Sequence, residues 1–232
     1  MRSRLLRRRD NTAPFATLLA TLVVALFVPP FFDGSVFGIA PFRLVVIAIL
    51  ISGVYAVSRS RRLVWIAGAI AGSTLSVEAL AHLWPIPALT VASFSLSILF
   101  PVFLGAVMLR TIITESQVTH DTILGGICIY LLLGIAWSIA YSFLEYLEPG
   151  SFSAAGAPLP PPPLANDHRL EDLIYFSFVT LTTLGYGDIL ARTNPARALA
   201  TGEAVTGSLF LAIFIARLVG LHMFHENRNL DP

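Results

Sequence analysis

Apolar residues in this chain fall in long unbroken windows, without the short-period alternation of a water-soluble strand or the one-sided stripe of a surface helix. A bilayer core about 30 Å thick needs roughly 20 such residues per helix, and six windows are candidates. Asn11 to Phe32 carries no charge, and a second window runs from Gly34 past Arg43 to Ser58. The third, Leu63 to Trp84, is interrupted once by Glu78. Leu83 to Leu109 is uncharged, with Pro85 and Pro87 marking the turn before the fourth span. Thr122 to Leu144 is the fifth, and Ala198 to Phe224, interrupted by Glu203 and Arg217, is the sixth. Between these last two, Leu173 to Gly187 is uncharged but too short to cross. The pattern predicts an all-α transmembrane fold of six spans plus one short apolar segment that enters the membrane without crossing it.

Composition agrees. Of 232 residues, 56% are hydrophobic and 12% charged, against about 45–50% and about 25% in globular domains. Such a chain cannot dress a water-facing surface, which excludes a cytosolic enzyme, a nucleic-acid partner and a disordered tail. All fifteen basic residues are Arg, and five of them (Arg2, Arg4, Arg7, Arg8, Arg9) crowd the first ten positions. With Arg59, Arg61, Arg62, Arg110, Arg217 and Arg228 they mark one side of the membrane, leaving Arg43, Arg169, Arg192 and Arg197 on the other. Because cytoplasmic loops retain positive charge, both termini are expected in the cytoplasm and Glu145 to Arg197 outside. An Arg-rich start before an apolar run also describes a signal peptide. The length of this run and its Pro29-Pro30-Phe31-Phe32 end favour an uncleaved span. The lone Cys128 rules out an internal disulfide or a multi-cysteine zinc site and is expected to be inert.

The external segment holds the chemistry. Pro158 and the run Pro160 to Pro163 predict an extended turret. Asn166 or Asp167 is placed to cap a short helix, with Glu171 and Asp172 in its first turns, running through Tyr175, Phe176 and Phe178 to about Thr182. Then comes Thr182-Thr183-Leu184-Gly185-Tyr186-Gly187-Asp188. An ion leaves water only where oxygens replace its hydration shell, and a strand whose successive carbonyls point one way supplies them. Glycine at alternate positions admits the left-handed angles this requires, so Gly185 and Gly187 allow the carbonyls of Thr183, Leu184, Gly185 and Tyr186 to share an axis. The Thr183 hydroxyl can add a further layer. The C-terminal end of the short helix favours a cation there.

This hexamer, TLGYGD, resembles the selectivity filter of potassium channels, whose consensus is TVGYG, often followed by Asp. Leu184 stands in place of the usual Val. Tyr175 and Phe176 stand where the family usually has two Trp, as an aromatic cuff around Tyr186. Val179 occupies the place of a Glu found in some members, so that position offers no carboxyl clamp for Asp188. The resemblance implies filter residues Thr183 to Gly187, supported by Thr182, Tyr175, Phe176 and Asp188. It also implies potassium ions as the permeant ligand, a homotetramer around one axis, a plasma-membrane location among lipids, and neither catalysis nor a cofactor. Gly207, 19 residues beyond Asp188, matches the region of the family's inner-helix hinge, although a close helix contact explains a glycine equally well. Glu203, an intramembrane carboxylate, is a candidate to pack behind the filter.

The expected organisation is a four-helix module over 1–110, a linker over 111–121 and a pore domain over 122–232. The pore domain divides into outer helix 122–146, turret 147–166, pore helix 167–182, filter 183–188 and inner helix 197–225. The layout resembles voltage-gated channels. Steep voltage sensing, however, needs about 3 to 4 charges per subunit in the field, and Pro87 to Leu109 has none, with Arg110 an anchor at its inner end. Glu78 and His82, four apart, suit a hydrogen-bonded pair near the outer interface or a proton site. His222 and His225 suit a solvated helix end or a pH sensor, and Arg217 is expected to snorkel to headgroups. The few residues after Phe224 leave no expectation of a cytoplasmic ligand-binding domain. Rival readings are a weakly selective cation channel, permitted by Leu184, and a subunit of a potassium uptake transporter, which usually carries four filter-like repeats where this sequence has one. A membrane enzyme built on Glu78 and His82 lacks any second cluster.

Overall fold

A computed structural model describes residues 14–27, 40–56, 60–114, 119–154, 156–158 and 168–230. The N-terminal Arg cluster, the Pro160–Pro163 run and the Asn166/Asp167 cap lie outside the described residues. The chain is mostly helical: α1 (Pro14–Phe27), α2 (Ala40–Ala56), α3 (Arg61–Leu83), α4 (Pro87–Thr114), α5 (His120–Leu147), α6 (His168–Leu181) and α7 (Asn194–Leu230). Three short strands complete it: β1 (Phe152–Ala154) and β2 (Ala157–Pro158) between α5 and α6, and β3 (Ile189–Ala191) before α7. By length and hydropathy α3, α4, α5 and the Asn194–Leu221 part of α7 can cross a membrane, making this a multi-pass membrane protein. At 1.5 Å per residue, α1 with 14 residues and α2 with 17 reach only about 20 to 25 Å, short of a full crossing in their described parts.

Several boundaries differ from the sequence expectation for local reasons. The linker expected over 111–121 is largely helical at its ends. Thr111 and Thr114 turn their hydroxyls back onto the Val107 and Arg110 carbonyls at 3.0 Å, so α4 continues to Thr114. At the other end Thr119 and Thr122 exchange side-chain and backbone hydrogen bonds in a capping box, which starts α5 two residues early. Thr193 likewise caps α7, its Oγ1 accepting from Ala196 N at 3.4 Å. Pro195 fits the first turn because its missing N–H would have no partner there.

The turret is not wholly extended coil. Beyond α5, β1 pairs antiparallel with β2 and with β3, in a ladder that sets Phe152 opposite Ala191 and Ala154 opposite Ile189. Buried Glu145 organises the corner, accepting from Gly150 N at 2.7 Å and Phe152 N at 3.0 Å. Strands this short carry no readable alternation, and the second half of the ladder lies beyond the filter in sequence.

Two cores hold the helices. One gathers Leu18 and Leu22 of α1, Leu50 of α2, Phe100, Leu104 and Met108 of α4, and Cys128, Ile129 and Leu132 of α5. Buried Cys128 points its thiol at the Phe15 carbonyl, 3.4 Å away. The second core lies where α5, α6 and the sheet meet. There Tyr141, Phe152 and Phe176 pack edge-on with ring centroids 5.2 to 5.3 Å apart, a geometry favoured by their quadrupoles.

Helix α7 approaches α5 where Gly126 leaves room for Phe214: a Cβ at Gly126 would sit 2.0 Å from that ring. Gly126→Ala should therefore cost about 1–3 kcal/mol by overpacking, seen as a lower thermal midpoint of the purified protein in detergent. Shortening Phe214 to Leu in the same chain should recover part of the loss.

Candidate functional site

Helix α6 ends at Leu181, and the chain turns out of it through Thr182 and Thr183 into the extended stretch Leu184–Tyr186. Two features set the backbone of that stretch. First, every second residue is left-handed: Thr183 (φ 59°), Gly185 (φ 59°) and Gly187 (φ 77°). Residues of alternating handedness turn their carbonyls to one side, whereas an ordinary strand alternates them. A Cβ at Gly185 or Gly187 would meet nothing within 4 Å, so backbone angle and not space demands glycine at both. Second, the amides are satisfied from behind. Leu184 N and Gly185 N both donate to the Val179 carbonyl, at 2.9 and 3.2 Å, and Thr183 N donates to Thr180 O at 2.9 Å. Among the described residues, no hydrogen bond is donated to the carbonyls of Thr183, Leu184, Gly185 or Tyr186. Leu184 and Tyr186 extend outward, 55% and 67% exposed in the single chain.

Sequence reasoning anticipated the two glycines and missed Thr183. A β-branched residue at positive φ is an outlier that costs of order 1–2 kcal/mol, and nothing in the letter T signals it.

Below the loop, α6 is held by α5 and α7. Ser177, on the face turned away from the loop, lies 2.8 Å from the Gly134 carbonyl of α5 and 2.5 Å from Oε1 of Glu203 on α7. Tyr141 of α5 donates a very short hydrogen bond to Oε2 of the same carboxyl. All three side chains are fully buried. Tyr130 OH reaches the Leu181 carbonyl at the end of α6, 3.2 Å away. Glu203 therefore packs behind the loop's supporting helix, and its partners, Ser177 and Tyr141, carried no signal in the sequence. Gly207 has a packing role: a Cβ there would lie 2.5 Å from Leu181 O and 2.8 Å from Leu181 Cδ1, and α7 runs unbroken through it.

The two aromatic residues of α6 part company. Phe176 is buried in the ring cluster with Tyr141 and Phe152. Tyr175 faces the loop, and its hydroxyl donates to Oδ2 of Asp188 at 2.7 Å, while Ile189 N donates to Oδ1 at 3.0 Å. Asp188 thus has a phenol partner from α6 where Val179 could offer none. Thr182 turns its hydroxyl back onto Phe178 O at 2.6 Å. Towards the C-terminal end of α7, Arg217 Nη2 donates to the carbonyls of Ile112 and Ile113 at the end of α4, at 3.1 and 2.5 Å. Glu78 is half-buried and His82 exposed; the side chains of His222 and His225 lie outside the described residues. Among the described residues no group of three metal-ligating side chains occurs.

With this geometry in view, residues 162–222, which hold α6, the loop and most of α7, match a family model described as an ion channel. That gives the class it is similar to: this part of the chain resembles ion channels, a family of channels and not of enzymes. More particularly, the chain is 30% identical over 90 residues to "Two pore potassium channel c" of Oryza sativa subsp. japonica, a match covering 39% of this chain and 16% of that protein. Together the two matches support a potassium channel family. No solved structure matches the chain.

The Tyr175 hydroxyl, foremost, holds the Asp188 carboxyl below its ordinary value, and the same bond pushes the Tyr175 phenol up to about 12. A depressed carboxyl pKa means the contact is intact above the ordinary Asp range near 3.9 and is lost as pH falls through the lowered value. Tyr175→Phe should raise the Asp188 pKa toward that ordinary range, read from the carboxyl carbon in an NMR titration of labelled protein.

Proposed function

We propose that the protein is a potassium-selective channel that conducts K+ passively through the Thr183–Gly187 loop, four copies surrounding one axis in the plasma membrane. The observation that carries this is the pairing of left-handed alternation with amides bonded rearward to Val179. It leaves four successive carbonyls, with the Thr183 hydroxyl, as unshared oxygens able to replace an ion's hydration shell. One chain supplies one strand of oxygens, and a closed ring needs several chains, which in a potassium channel means four. In this reading α1 to α4 are a scaffold without an Arg ladder, α1 and α2 complete six spans, and both termini face the cytoplasm. The relative from rice is a potassium channel by name, and its match supports the choice of ion. The exposed, outward-pointing Leu184 leaves the carbonyl set unchanged by its extra methylene.

Reconstituted in liposomes, the full chain should pass K+ with a reversal potential near that of K+ in mixed K+/Na+ gradients. Gly185→Ala, forced to place a Cβ at φ 59°, should lose most of that flux. If Gly185→Ala passes K+ as well as the parent, the loop is not the filter; if the reversal potential follows both ions, the weakly selective alternative holds.

A further inference from the structure

Glu203, Ser177, Tyr141 and Gly134 form a closed set of oxygens whose protons can be counted. Three oxygen pairs stand at hydrogen-bond distance: Ser177 Oγ with Gly134 O, Ser177 Oγ with Glu203 Oε1, and Tyr141 OH with Glu203 Oε2. Each pair needs one proton between its members. The backbone carbonyl has none to give, Ser177 has one and Tyr141 has one, so two hydroxyl protons must serve three contacts. An ionised Glu203 leaves one pair as two bare lone pairs in contact. A protonated Glu203 supplies the third.

We infer that Glu203 is a neutral carboxylic acid whose proton bridges to Ser177, and that this acid positions the pore helix α6 between α5 and α7. Every link then has a direction. Glu203 Oε1 donates to Ser177 Oγ, Ser177 donates to Gly134 O, and Tyr141 donates to Glu203 Oε2. The surroundings agree, since a buried carboxylate needs a cation or several donors to be held as an ion. From α5 the titratable groups facing Glu203 are Tyr141 and Tyr130, the latter bonded to Leu181 O. From α6 there is Ser177, which does not titrate, and α7 brings no further charge to the cluster. Among the described residues no basic side chain pairs with Glu203, and its exposure is nil.

The bearing of this acid on conduction rests on the channel reading above; the presence of the proton does not. Infrared spectra of the full chain in lipid bilayers at pH 7 should contain a protonated-carboxyl C=O band that is missing from Glu203→Gln. In Ser177→Ala the band should persist but move to higher frequency, because the acid has lost its acceptor. This second variant decides the matter should Glu203→Gln fail to fold. Gln offers an N–H to Ser177 and a carbonyl to Tyr141, keeping all three contacts, so it should retain K+ flux within about twofold of the parent while Glu203→Ala falls by about tenfold or more, the cost of stranding two buried hydroxyls. A spectrum with no band removed by Glu203→Gln and none shifted by Ser177→Ala overturns the inference. So does a folded Glu203→Gln that loses flux while the parent conducts, since a charge would then be required. A parent that passes no K+ defeats the channel reading and leaves the infrared result to judge the proton alone.

Discussion

The loop after α6 takes its direction from hydrogen bonds that its first amides make to the helix it has just left, and one carbonyl receives two of them. Val179 O, in the last turn of α6, accepts from both Leu184 N and Gly185 N. That single acceptor folds the start of the loop back over the helix end and commits the Leu184 and Gly185 amides to the protein, while among the described residues the Thr183 to Tyr186 carbonyls take no donor. A free helix end would have given its last carbonyls to water or to a capping residue. Here the capping donors are the first amides of the loop, so the end of α6 and the start of the loop are one hydrogen-bonded object.

The rest of the structure keeps that object in place from three directions. Behind α6, Ser177 and Glu203 tie it to α5 and α7, and Gly207 lets α7 come close enough to touch the backbone of Leu181. Beside it, Phe176 locks into the rings of Tyr141 and Phe152. Beyond it, Asp188 is held by Tyr175, and β3 pairs with β1, which Glu145 anchors to the end of α5. Polar contacts carry much of this because apolar side chains gain little by leaving lipid for another apolar surface, so small residues and hydrogen bonds set how membrane helices meet.

What could be read from the letters divides along physical lines. The long apolar helices, the short helix before the loop and the left-handed glycines Gly185 and Gly187 were legible because each is a local property: a length matched to a bilayer, or a backbone angle that one residue type tolerates. The β1–β3 ladder was not, since its strands are two or three residues long and separated by the whole of α6. The partners of Glu203 were illegible for the same reason. Ser177 and Tyr141 are 26 and 62 residues away from it, and an isolated Ser or Tyr in an apolar helix is unremarkable. The partners of Arg217 were illegible too, because only the fold brings the carbonyls at the end of α4 within its range.

The left-handed angle at Thr183 has a consequence for how this loop can vary. Conformation alone would choose glycine at 183, as it does at 185 and 187, and each glycine there would relax the chain. A threonine kept in that state marks a position where side-chain chemistry outranks comfort of the main chain. Substitutions at 183 therefore divide into two kinds: glycine, which eases the backbone and removes an oxygen, and serine, which preserves the oxygen with one methyl fewer to crowd the turn. An improvement in folding and a retention of function should thus point to different letters at the same site.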